Sequence, residues 1–247
     1  MAFSTGRRLV LSALRAKAAS SSLGTRACAR TIRATAIALA ALLGATACQP
    51  REQISQSAAD NQTAPEGSQR AVLYEEDTAN PQGNAYNGFA VWRTETVSPG
   101  GGRPDEVAVR ADIDIPDRQM AVVWSLRRNT DRKLPASHTI EIRFSLPRSS
   151  PGDGIANVPG ILLKTFPEAK GIPLSGLSVK VSDGYFLIGL SGVDADRQRN
   201  LRLLNDQNWL DVPIVFNSGK RAILAVEKGP SGARVFASAF AAWGDQR

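Results

Sequence analysis

Residues Thr139–Leu146 read Thr-Ile-Glu-Ile-Arg-Phe-Ser-Leu. Ile140, Ile142, Phe144 and Leu146 fall on one side of an extended chain, and Thr139, Glu141, Arg143 and Ser145 on the other. Side chains alternate faces along a strand, so the stretch is a half-buried β-strand. Burying four such side chains favours folding by roughly 6–12 kcal/mol gross, before chain entropy is subtracted.

Working outward, the same alternation returns in Val107, Val109, Ala111, Ile113 and Ile115, interleaved with Ala108, Arg110, Asp112 and Asp114 and stopped by Pro116. Val72-Leu73-Tyr74, Phe89–Val97, Met120–Leu126 and Gly160–Thr165 read as further strands. Leu177–Val181 and Tyr185–Leu190 flank Ser182-Asp183-Gly184, a hairpin signal. Trp209–Phe216 and Ala222–Lys228 flank Asn217-Ser218-Gly219 in the same way. Pro213 has no N–H and marks an edge or a bulge. Between the hairpins, Leu201 and Leu204 are at helical spacing in Asp194–Asp206, with Asp194 or Asp196 as the expected N-cap. Val235, Phe236, Ala239, Phe240 and Trp243 form the apolar face of a closing helix. The expected fold is therefore mainly β: an antiparallel β-sandwich or barrel-like domain over residues 70–247, with a short internal helix and a C-terminal helix.

The formal charge of +7 points first to nucleic acid. Its distribution removes that reading. Residues 1–48 carry Arg7, Arg8, Arg15, Lys17, Arg26, Arg30 and Arg33 and no acid, so the remaining 23 basic residues face all 23 acidic ones. The folded part has no basic bias to attract phosphate. Both cysteines, Cys28 and Cys48, also lie in this leader, which leaves the domain without a disulfide or a thiolate metal site.

Ala34–Ala47 is uncharged, mostly apolar and too short for a membrane span of about 20 residues. It suits the hydrophobic region of a secretory signal. The run ends Ala45-Thr46-Ala47-Cys48, which resembles a bacterial lipobox and implies lipidation at Cys48. Ala45-Thr46-Ala47 also fits ordinary cleavage, and an uncleaved anchor is a third reading. The basic region is long, which fits a later translation start or, as a lower-ranked reading, an organellar transit segment. Residues 49–69 hold Gln, Ser, Asn, Pro, Glu and Gly and read as a disordered tether.

Arg127-Arg128-Asn129-Thr130-Asp131 with Leu134–Ile142, the tract Val158-Pro159-Gly160 through Ala222–Gly229, and Phe240-Ala241-Ala242-Trp243-Gly244 together resemble an uncharacterised C-terminal domain of anchored or exported alphaproteobacterial proteins. That resemblance implies location and ancestry and brings no assigned activity. The order of hairpin, short helix, hairpin and Phe/Ala-rich helix over Leu177–Trp243 is similar to the invasion-associated locus B proteins, whose cysteines this domain lacks.

Few residues point to chemistry. His138 is the only histidine, and Ser137 beside it faces the opposite way in an extended chain, so a serine triad would need another serine. Asp112 and Asp114 share a strand face and serve solubility there. Gly152-Asp153-Gly154 and Ser182-Asp183-Gly184 are turns without the context of a phosphate loop. Trp92, Trp124, Trp209 and Trp243 each lie in an apolar pattern and belong to the core rather than a sugar platform. Arg127, Arg128, Asn129 and Asp131 are the candidate ligand contact, against the plainer role of a charged hairpin end.

These observations imply a non-enzymatic protein of the bacterial cell envelope, membrane-anchored on the periplasmic side or secreted, with no cofactor and no catalytic or metal residues. It would contact the membrane through its lipidated N-terminus, and an envelope protein or glycan through its domain. The alternatives are an envelope-polymer hydrolase using His138 and a sensor domain of a membrane partner.

Overall fold

The computed structural model describes residues 64–98, 104–131, 133–147 and 154–245. The leader with Cys48, the tether up to Thr63 and Gly152-Asp153 lie outside them. The domain is mainly β, a curled antiparallel sheet with one internal and one C-terminal helix. Its strands are β1 (Gln69–Glu75), β2 (Asn84–Val97), β3 (Glu106–Ile115), β4 (Met120–Arg128), β5 (Ala136–Ser145), β6 (Ile155–Asn157), β7 (Leu162–Lys164), β8 (Ile172–Pro173), β9 (Gly176–Ser182), β10 (Tyr185–Ser191), β11 (Trp209–Phe216) and β12 (Arg221–Glu227). Helix α1 is Asp194–Asp206 and α2 is Gly229–Trp243. Neither is long and apolar enough to cross a membrane. β1 begins at Gln69, the last residue read as tether.

The sheet runs β8-β7-β11-β12-β1-β2-β3-β4-β5-β10-β9, with β6 also paired to β11. The two ends of this path, β8 and β9, are consecutive in the chain with only Leu174 and Ser175 between them. The sheet therefore curls until its ends meet. Asn200 of α1, buried, clamps that joint: its Oδ1 accepts the Ser175 N–H at 2.9 Å and its Nδ2 donates to the Ser175 carbonyl at 2.8 Å. The Lys180 Nζ of β9 donates across the seam to the Ile155 carbonyl of β6.

β5 buries Ile140, Ile142 and Phe144 as its alternation requires. β9 alternates equally well in sequence, but the other way round: Leu177, Val179 and Val181 are exposed. α2 lies against β2 and β3. Its Phe236 meets Trp92 at 5.4 Å and Trp124 at 6.0 Å between ring centroids. All four tryptophans are buried, and the Nε1 groups of Trp92 and Trp243 donate to the carbonyls of Glu227 and Val107. Lys228 precedes α2 and is fully buried; its Nζ donates to the carbonyls of Leu204 and Asn205 at the end of α1, and burial lowers its pKa to about 8.

Two sequence details are corrected. Val193, not Asp194 or Asp196, occupies the N-cap of α1, and no side chain caps it. Of the edge or bulge expected at Pro213, the edge does not hold, because β11 is an interior strand, and the register of β11 against β6 shifts two residues on, between Val215 and Phe216. Pro213 pairs Ile223 of β12 and sits between the stretches of β11 that pair β7 (through Asp211) and β6 (from Val215), where no ladder bond is lost.

Candidate functional site

His138 lies on β5, buried, under the C-terminal end of α2. Gly244 ends α2 in the left-handed region at φ 73°, and the Asp245 N–H donates to the Phe240 carbonyl at 3.0 Å. This turn aims Asp245 at the ring. The His138 Nε2 meets Asp245 Oδ2 at 3.2 Å, while Arg197 Nη1 of α1 holds Oδ1 at 3.0 Å. Trp243 packs on the imidazole at 5.2 Å. Burial lowers the histidine pKa; Asp245 opposes that shift, and Arg197 and Arg128 add to it. A neutral imidazole donating through Nε2 to the carboxylate fits this corner. The Ser137 hydroxyl faces away and donates to the Ser191 carbonyl at 2.9 Å. Among the described residues no serine is hydrogen-bonded to His138, so the geometry lends the hydrolase reading no support.

Arg127, Arg128, Asn129 and Asp131 do converge on one small cleft of about 280 Å³. Each is held by bonds within the domain. Arg127 pairs Glu141 at 2.6 Å, and Arg128 donates to the Trp243 carbonyl at 3.1 Å and faces Glu106. The Asn129 Nδ2 donates to the carbonyls of Asp131, Leu134 and Ala136, and the Asp131 carboxylate accepts the Lys133 N–H. Asp112 is flanked by Arg93 and Arg110. Among the described residues no cluster of three or more His, Cys, Asp or Glu side chains could hold a metal ion.

A larger cleft of about 910 Å³ opens on the outer face of β1, β12 and β11. Its floor is one cross-strand row: Tyr74 opposite Ile223, and Ile223 opposite Pro213. Tyr74 and Ile223 are 45% and 42% exposed, so the row presents apolar surface to solvent. The loop after β1 forms one wall and Asn157 and Pro159 the other.

The loop wall is braced by its own hydrogen bonds. The Asp77 carboxylate accepts the Ala79 N–H and the Asn84 amide, each at 2.9 Å, and these bonds lower its pKa. Asn80 accepts the Gln82 N–H and donates to the Gly83 carbonyl. Gly83 has φ 69°, and a Cβ there would stand 2.6 Å from the Glu75 carbonyl oxygen, so only glycine closes this turn. Beneath it Glu75 is buried between Arg118 Nε at 2.7 Å and Lys220 Nζ at 3.1 Å. The side chains of Tyr74, Gln82, Asn157 and Arg221 line this cleft with no hydrogen-bond partner among the described residues. The Glu76 carboxylate accepts the Arg221 backbone N–H at 3.3 Å.

Sequence reading missed these four residues because they come from three separate places in the chain. A trace was present: Val72-Leu73-Tyr74 and Ile223-Leu224 are apolar on both strand faces, whereas a one-sided strand alternates. Neither family models, nor curated proteins, nor solved structures yield a match to this chain.

Proposed function

We propose that the chain is a non-enzymatic cell-envelope protein, membrane-anchored or secreted, whose β-rich domain works by contact with a protein or a glycan. The observation that supports this most is where the unengaged polar groups lie. The groups with the character of a catalytic set, at His138, are buried and bonded to one another. The groups around the Tyr74 cleft face solvent over an apolar floor, as in a site that binds without reacting. The apolar run before Cys48 supports export, and the lack of a basic bias in residues 49–247 speaks against nucleic acid.

The test is fractionation of the full-length chain expressed in a Gram-negative bacterium. The protein should sediment with membranes, be cut by protease added to spheroplasts, and move to the soluble periplasmic fraction when Cys48 is replaced by Ser. Full-length protein in the cytosol with residues 1–48 still attached would overturn the proposal.

A further inference from the structure

We propose that the Tyr74 cleft binds a neutral oligosaccharide; this deepens the contact reading above and rests on it. A pyranose has a flat C–H face and a rim of hydroxyls. The row of Tyr74, Ile223 and Pro213 offers an apolar floor for the first. The amides of Gln82 and Asn157, each both donor and acceptor, and the Arg221 guanidinium offer partners for the second. Charge decides the class of sugar. Glu76 accepts the Arg221 backbone N–H and not its guanidinium, the Asp77 carboxylate is turned into its own loop, and Glu75 is paired beneath. Among the residues that line the cleft, Arg221 is the one cation and its guanidinium has no ion-pair partner among the described residues, but Glu76 and Asp77 stand on the same rim, so the lining carries no net positive charge to draw an acidic ligand. A peptide strand is disfavoured because β1 and β12 are interior strands, paired on both sides, with no free backbone edge over the floor. The wall already closed by Asp77, Asn80 and Gly83 means little ordering is needed on binding.

The experiment is isothermal titration of the full-length protein, purified from membranes, with chitotetraose and with cellotetraose. A proline-rich decapeptide is titrated in parallel. Either tetrasaccharide should bind with a Kd in the millimolar range or tighter. Tyr74→Ala should weaken it about tenfold, and Asn157→Ala about three- to tenfold. Both side chains are exposed, and a cooperative melt within about 4 °C of the native protein's shows the fold is intact. Binding of neither saccharide, binding of the decapeptide instead, or saccharide binding that ignores both substitutions would overturn the proposal. A protein found in the envelope that binds no saccharide loses this inference and keeps the contact reading. A cytosolic protein loses the contact reading, and the titration still decides the cleft.

Discussion

The His138 corner and the Tyr74 cleft hold similar numbers of polar side chains in opposite conditions. At His138 the imidazole and the Asp245 carboxylate are buried, Arg197 and Arg128 are half-exposed, and all four bond to one another or to backbone. At Tyr74 the polar groups stand in water around an apolar row. A buried polar group must find its partner during folding, because leaving it unpaired costs about 1–3 kcal/mol. Such a group has no bonding capacity left for a ligand. A solvated group exchanges water for ligand at small net cost. Rarity and a shifted pKa draw attention to His138, and here they mark folding rather than recognition.

Where the two regions differ in consequence, substitutions separate them. The largest effect belongs to Glu75, the buried member of the cleft. Glu75→Ala leaves Arg118 and Lys220 without their shared carboxylate. Breaking a buried pair costs about 3–5 kcal/mol, and because both cations reach water the expected loss is nearer 2–3 kcal/mol. Denaturant unfolding should show it, with Glu75→Gln about half as costly. Equal stability of all three proteins would mean the cleft does not rest on this pair.

The corner predicts a pH effect near neutrality, whereas the lowered pKa of Asp77 in the cleft wall acts only in acid. The folded pKa of His138 lies below the value near 6.5 expected when unfolded. The unfolded chain therefore binds a proton more readily as pH falls, so this contribution is complete above pH 6.5 and declines below it. Between pH 7.5 and 5.5 the native protein should lose stability faster than His138→Gln, by no more than about 1.4 kcal/mol per pH unit. Parallel slopes would mean that His138 is not held neutral.

How much of this was legible follows from what strand alternation records. β5 and β9 alternate with equal regularity, so both are identifiable as strands from sequence. β5 turns Ile140 and Ile142 inward, whereas β9 turns Leu177 and Val179 outward and sends Lys180 toward β6. Period two fixes that faces differ; which face is inside depends on what lies across the sheet, and that is set by residues far away in the chain. The hairpins at Asp183-Gly184 and Ser218-Gly219 and the apolar face of α2 were readable because their causes are local. The meeting of β8 with β9 and the Asn200 clamp were not, since nothing near Asn200 marks its partner 25 residues away. The cleft failed to show for the same reason: Tyr74, Asn157 and Arg221 become neighbours only through the pairings of β1, β12, β11 and β6.

The smallest expected effects make the sharpest contrast. Tyr74 and Ile223 face each other across a pair of strands, so Tyr74→Ala loses one cross-strand contact, at most about 1 kcal/mol. Asn157→Ala removes an exposed side chain with no partner among the described residues and should leave stability within about 0.5 kcal/mol. Thermal melts of the two variants beside the native protein measure this directly. A residue that adds nothing to the fold and still lines a cleft of about 910 Å³ with a free amide is free to serve a ligand. A loss of several kcal/mol at Asn157 would show instead that the amide is held by the fold, and the contrast with His138 would disappear.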